Sequence, residues 1–410
     1  MSEPVAESPR ETPLTSDEPP VAELSVAEPP VADEERLARV RLSLVPGIGP
    51  LLAQALLDRF ETAAAVFRHA APQWREVPGI GPKLVAALEQ STPETAQKEL
   101  ARCRRANVRV LIPPDADYPS QLLAMPDAPG VLSMRGQLTA ADEVAVALVG
   151  SRKSTLYGQQ MAERLARGLA AAGVTVVSGL ARGIDAAAHR GALAAGGRTL
   201  AVVAGGLARL YPPEHRDLAR AIVEAGAVLT ESPLDREPTR GLFPQRNRII
   251  SGLCLGVVIV EATRRSGALH TARHAHEQNR EVMAVPGHVT DLSSEGCHDL
   301  LRDGATLVRH VDDILEALGP LPLPSERPAS ADEPARTVLG PRELTLSDQE
   351  RRVLEAVPQQ PTPRDDVVAV LAGDVDAPVP EPQVLATLMV LEMRRFVATQ
   401  PGGFVQRVPG

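Results

Sequence analysis

Six short apolar runs rich in β-branched residues recur between residues 144 and 287, interleaved with amphipathic stretches, and this pattern limits the fold more than any other feature. The runs are VAVALVG, VTVVSG, RTLAVVAGG, AVLTES, LGVVIVEA and EVMAVPG; the interleaved stretches include YGQQMAERLARGLAAAG, IDAAAHRGALAAG, FPQRNRIISGLC and HTARHAHEQNR. A strand with one wet face alternates apolar and polar residues, whereas a strand that is apolar throughout is covered on both faces. Such strands joined by helices predict an extended Rossmann-like α/β fold, a doubly wound parallel sheet with helices on each side.

The flanks differ in character. Residues 1–36 hold ten acids against two bases, are rich in Pro, Glu and Ala, and show no apolar periodicity, which predicts a disordered acidic tail. The formal net charge of −9 is therefore a poor guide to the remainder: residues 37–140 carry twelve bases against nine acids, and residues 141–318 carry twenty of each. Residues 37–106 read as a small all-α unit of short helices. The Rossmann-like region is expected over 107–318, entered through a proline-rich bridge at 107–140. A Pro-rich linker follows at 319–341. Residues 342–410 read as three helices and a hairpin around Gly402 and Gly403, a winged-helix-like domain. Cys103, Cys254 and Cys297 form no CxxC pair, so neither a disulfide framework nor a zinc knuckle is supported. No secretory signal pattern and no apolar run of ~18 residues are present, and a cytoplasmic location without membrane contact is expected.

VPGIGP occurs twice, from Val45 and from Val77. Gly47 and Gly49, like Gly79 and Gly81, permit a tight turn, and the following proline suits a first helical turn. Helix starts with free N–H groups attract phosphate without reading bases. The repeat is thus a SAM-like, double helix-hairpin-helix pattern, with Lys83 nearby as a cation. Two readings stay open: an accessory DNA contact, or glycines that only allow helices to pack closely.

The strand ends of the central region carry VGSRKST, SGLARGID, VAGG and EATRRSGALHTA. In an open α/β sheet the carboxyl ends of the strands line the ligand crevice, so these glycines and hydroxyls (Ser151, Ser178, Ser266, Thr271) should gather at one rim. Arg152, Lys153, Arg182, Arg264, Arg265 and Arg273 are placed to supply charge, and a polyanion is the natural guest. The chain has no GxxxxGK[ST] and no GxGxxG after the first strand, so neither a P-loop nor a dinucleotide site is supported, and no cofactor is expected. FPQRNRII sets Phe243 and two arginines, Arg246 and Arg248, around Asn247 in a chain only 2% aromatic. A base stacked on a ring while arginines hold phosphate is how single strands are gripped without sequence preference. Structural alternatives are a buried Phe243 and acid-paired arginines. His270, His274 and His276 lack the glutamate of HExxH, so no metal is expected. The serines lie in no GxSxG, and the acids Glu261 and Asp185 suit capping as well as catalysis.

The motifs VGSRKSTLYG, SGLARGIDAAAH, GGLARLYP, ESPLDREPTRGLFPQRNRIISGL, VVIVEATRRSGALHTARHA, REVMAVPG and EGCHDLLRDGA, in this order over about Asp117 to Val311, resemble the DNA-processing protein A (DprA, or Smf) family. The resemblance implies a non-enzymatic protein of natural transformation that binds and protects incoming single-stranded DNA and loads RecA, acting as a homodimer. Single-strand-binding protein is a further candidate partner. Carried over by motif, the DNA pocket would use Arg152, Arg240, Phe243, Arg246 and Arg248, with backbone amides around Gly179, Gly205, Gly206 and Gly267. The dimer surface would fall at Cys297, His298 and Leu301. The competing reading is a nucleotide-processing enzyme of the phosphoribohydrolase type; those carry a PGGxGTxxE stretch where this chain has VEATRRSGALHTA. The acidic tail lies outside the family pattern. LEMRR replaces the glycine often found after the last helix of such C-terminal modules. Six bases against seven acids over residues 351–410 favour a protein-contact or regulatory role there.

Overall fold

The computed structural model describes residues 33–113, 115–319, 348–358, 362–373, 379–393, 396–400 and 404–407. The expected tail up to residue 32, the expected linker apart from Gly319, and Gly402 and Gly403 lie outside the described residues. A nine-stranded sheet forms the centre: β1 (Arg109–Leu111), β2 (Leu132–Gly136), β3 (Ala145–Gly150), β4 (Thr175–Ser178), β5 (Thr199–Val202), β6 (Ala227–Thr230), β7 (Gly256–Glu261), β8 (Glu281–Ala284) and β9 (Thr306–Leu307). Their spatial order is β1-β2-β6-β5-β4-β3-β7-β8-β9. Every neighbouring pair from β6 to β9 is parallel, while β2 joins β6, and β1 joins β2, antiparallel.

The apolar runs are covered on both faces, as their pattern predicts. In β3, Ala145, Ala147 and Val149 enter a core shared with the helices Leu242–Gly252 and Ala268–Glu277; Val146 and Leu148 enter the opposite core with the helices Leu156–Ala171 and Ile184–Ala194. Val257 and Ile259 of β7 face the first core, and Val258 and Val260 the second. Each such valine, leucine or isoleucine contributes about 1.5–3 kcal/mol, and each alanine less. Two departures from the sequence reading stand out. The bridge at 107–140 supplies β1 and β2, and a helix not read from the sequence, Arg216–Ala225, links β5 to β6. From β3 the chain winds to one side through β4, β5 and β6, then returns to the other side of β3 with β7. The carboxyl ends of β3 and β7 therefore flank a topological switch point, where such sheets place their ligands.

Among the described residues six helices precede the sheet, from Asp33–Ser43 to Pro93–Arg105. Gly47 and Gly79 hold φ of +88° and +90°, which only glycine adopts without strain. The hairpins pack reciprocally: a Cβ at Gly47 would meet Leu84 at 2.7 Å, and one at Gly79 would meet Leu52 at 2.9 Å. Gly49 and Gly81 cap the helices Pro50–Phe60 and Pro82–Gln90 with nothing above them, and Lys83 is exposed beside the second. The first glycine of each pair thus serves packing, and the second leaves an open helix start. Residues 33–36, expected in the tail, instead form the first turn of a helix. Arg36 is buried and reaches Asp115 through two hydrogen bonds of 2.8 Å and the Val110 carbonyl at 2.7 Å, which ties the helices to β1.

At the other end, the helices Asp348–Glu355, Arg364–Ala372 and Glu381–Met393 enclose Val353, Leu371 and Leu391 with a three-stranded antiparallel sheet of β10 (Thr362–Pro363), β12 (Phe404–Arg407) and β11 (Val397–Gln400). No helix among the described residues is long and apolar enough to cross a membrane.

His189 lies fully buried on the helix Ile184–Ala194. Thr199 spends its hydroxyl hydrogen on the Val176 carbonyl, so its oxygen accepts from His189 Nδ1 at 2.7 Å, and Nε2 carries a lone pair without a partner. Burial, reinforced by the Arg246 charge, holds the imidazole down to about 3. An unfolded chain takes up this proton below about pH 6.5 and the folded chain does not, so stability is full above that pH and falls as pH drops. Urea titrations should show a loss of about 2 kcal/mol between pH 7.5 and 5 from this group. His189→Gln should be less stable at pH 7.5 yet lack that part of the slope; an unchanged slope would contradict the assignment.

Candidate nucleic-acid interface

Loops leaving β3, β4 and β7, with the start of the helix Leu242–Gly252, enclose an open cleft of about 590 Å³ at the switch point. Ser151, Arg152 and Lys153 enter from the β3 loop, Arg240, Phe243, Arg246 and Asn247 from the helix start, and Ser266, Gly267 and Thr271 from the β7 loop. These ten residues, scattered over 120 positions of sequence, are brought together. Thr263, His270 and Ser293 also line the cleft, although nothing in the sequence singled out Thr263 or Ser293.

The cleft's cations are of two kinds. Arg152, Lys153 and Arg240 are exposed. The Arg152 guanidinium sits 4.3 Å from the centre of the Phe243 ring, a cation–π contact that holds its fork at the mouth. Arg246, by contrast, is buried in the floor, where it donates to the Val202 carbonyl and lies beside Asp185. Burial lowers its pKa to about 10, so it still carries charge at neutral pH. Asp185 is raised by its own burial, an effect opposed by Arg246 and by backbone donors at Ala181 and Gly179. Asn247 donates to the Gly267 carbonyl at 3.2 Å and so braces the β7 loop.

The other acid of the rim is also engaged. Glu261, at the end of β7, is buried and accepts from the Thr155 amide at 3.1 Å and the Thr155 hydroxyl at 2.5 Å. Thr155 in turn caps the helix Leu156–Ala171 through the Gly158 amide. The Glu261 carbonyl accepts from the Ser151 amide at 2.7 Å. Glu261 therefore anchors the loop that carries Arg152, while Asp185, which lines the cleft floor, is engaged by Arg246 and by the Ala181 amide of the loop after β4.

Several expected contacts lie elsewhere. Arg248 is buried between Glu231, at 2.6 Å, and Asp127, at 3.2 Å, because its position on the helix turns it away from the rim. Ser178 is buried with its hydroxyl on the Leu148 carbonyl. The Gly206 amide donates to the Arg236 carbonyl and is not a free donor; Gly205 packs against Arg236 and Pro238. Gly179 lies below the floor, where a Cβ would meet Arg246 at 2.0 Å and Asp185 at 2.5 Å. Arg182 is exposed but pairs with Glu214, and Arg264 pairs with Asp299. Arg265 and Arg273 are exposed outside the cleft lining. Cys297 is fully buried, its thiol raised to about 12 by burial, so it cannot form a surface; His298 and Leu301 are partly exposed. Tyr211, which sequence reasoning passed over, places its ring 6.1 Å from Phe243; its signal was an aromatic after a Gly-Gly strand end.

The sequence profile described as DNA recombination-mediator protein A matches residues 109–319, and that of the SAM-like helix-hairpin-helix tandem matches residues 39–89. Protein Smf of Synechocystis sp. is 34% identical over 406 residues, covering 92% of this chain and 100% of that protein. Protein Smf of Escherichia coli is 43% identical over 300 residues, covering 72% of this chain and 77% of that protein. The crystallographic DNA processing protein A of Streptococcus pneumoniae superposes with a TM-score of 0.61 at 33% identity, covering 69% of this chain and 96% of that one.

The two glycines Gly179 and Gly267 give a paired test of this geometry. Gly179→Ala forces a methyl into the Arg246–Asp185 contact and should cost about 1–3 kcal/mol in chemical denaturation. Gly267→Ala, at a helical φ of −62° with nothing within 4 Å, should leave stability unchanged or slightly raised.

Proposed function

The chain belongs to the DNA recombination-mediator protein A family, and from that premise we propose that it binds single-stranded DNA in the switch-point cleft and passes it to RecA during natural transformation, without catalysing a reaction. One observation carries this reading: an exposed arginine fork lies over an aromatic ring, at the mouth of a cleft whose nearby carboxylates, Glu261 and Asp185, are engaged by protein donors. Arginine forks match phosphate oxygens, and a ring beside them accepts any base face. The internal engagement of Glu261 and Asp185 supports binding over glycosidic hydrolysis, which requires a carboxylate free to meet substrate. In this proposal the open helix starts at Gly49 and Gly81 are accessory phosphate contacts, and the winged-helix-like end contacts protein. A homodimer forms through the face that carries His298 and Leu301, with Cys297 acting only in the core beneath it.

Titration with a labelled oligo-dT should show affinity falling steeply with salt. Each phosphate contact adds about 0.7 to the slope of log K against log salt, so Arg152→Ala combined with Arg240→Ala should flatten it by roughly 1.4. Affinity that ignores salt, or a preference for duplex, would count against the cleft. In a second assay, wild-type protein should shorten the lag for RecA assembly on a strand coated with single-strand-binding protein. The double variant should lengthen that lag towards the value without mediator; equal lags with and without wild-type protein would remove RecA from the proposal.

A further inference from the structure

Tyr211 follows Gly205 and Gly206 on the loop that leaves β5, outside the cleft lining and beyond Phe243. Tyr211 is 43% exposed, in a chain in which aromatic residues make up 2%. The Phe243 and Tyr211 ring centres are 6.1 Å apart with their planes 70° apart. Arg182 stands 5.9 Å from the Tyr211 ring centre, held by Glu214 in an ion pair whose two side chains are both about half exposed. Exposed pairs of this kind are worth little, so a phosphate can replace Glu214 at small cost. The arrangement repeats what surrounds Phe243: a ring, with an arginine beside it. Since Arg152 already covers one face of Phe243, that ring has at most one face left for a base, and Tyr211 is the more open of the two.

We propose that Tyr211 is a second base platform, flanked by Arg182 as its phosphate partner, so that the cleft continues past Phe243 and holds neighbouring nucleotides of one strand with their bases splayed. This rests on reading the cleft as a single-strand site. It also supplies a reason for strand selectivity. Bases within a duplex lie parallel and about 3.4 Å apart, whereas rings 6.1 Å apart and tilted by 70° admit only bases that have left their stack.

The test measures binding of labelled oligo-dT by fluorescence anisotropy over a range of salt. Tyr211→Ala should weaken binding about tenfold with an unchanged salt slope, because stacking releases no counterions. Tyr211→Phe should bind as wild type does, and Arg182→Ala should flatten the slope by about 0.7. On an abasic strand of the same length, wild type and Tyr211→Ala should bind equally. The proposal is overturned if Tyr211→Ala binds oligo-dT as tightly as wild type, if Tyr211→Phe is as weak as Tyr211→Ala, or if the loss persists on the abasic strand. Wild-type protein that fails to bind oligo-dT at any salt would overturn the cleft assignment itself, an outcome distinct from equal binding by wild type and variant.

Discussion

The rim of the sheet is usable by a polyanion because its two carboxylates are buried and taken up by protein donors. Strands β3, β4 and β7 end at one edge, and β7 ends in Glu261 while the turn after β4 leads to Asp185. Left exposed, these acids would cancel the charge of Arg152 and Lys153. Glu261 is instead consumed by the amide and hydroxyl of Thr155, and Asp185 by Arg246 and the backbone around Gly179. Each engagement also fixes a loop: Glu261 pins the turn that presents Arg152, and Asp185 sets the height of the floor. Removing a buried partner would leave an uncompensated charge, which is far more costly than never having placed the pair. Charge at the mouth and rigidity beneath it therefore come from the same contacts.

This arrangement divides the arginines by role. Arg246 lines the cleft yet is buried in its floor, with its Nη1 donating to the Val202 carbonyl. Arg248, two residues on, neutralises Glu231 and Asp127 on the far side of the same helix. Of the arginines and lysines of the lining, Arg152, Lys153 and Arg240 are exposed to solvent. A global charge of −9 is compatible with such a site because screening confines the field to about 8–10 Å.

Much of this was legible in the residues. Runs such as VAVALVG and LGVVIVEA state their burial on both faces, and the order in which they pair places the crevice at the loops already rich in Gly, Ser and Arg. What escaped was anything decided by direction rather than by position. Two arginines in RNR look equivalent in sequence, but a helix advances 100° per residue and the sheet covers one side of it more deeply than the other. Cys297 sits in a motif that the family resemblance assigns to a surface, yet it faces Ile259 of the core. β1 and β2 were missed because three- and five-residue strands inside a proline-rich stretch have too little pattern to outweigh the prolines.

The helical unit before the sheet bears on the cleft without touching it. Glu99, on the helix Pro93–Arg105, accepts from the Leu234 amide at 2.6 Å, and Arg102 of the same helix pairs with Asp235. Leu234 and Asp235 belong to the segment that closes over Gly206 and runs directly into Arg240 and Phe243. Arg36 then ties the first helix to Asp115, so the unit is anchored at both of its ends. A segment held at one end by buried hydrogen bonds loses less entropy when its other end orders around a ligand. The helices thus have a route to DNA affinity through the placement of Arg240 and Phe243, separate from any phosphate met by the open starts at Gly49 and Gly81. The two routes differ in their physics, because placement leaves the number of displaced counterions unchanged and a phosphate contact does not.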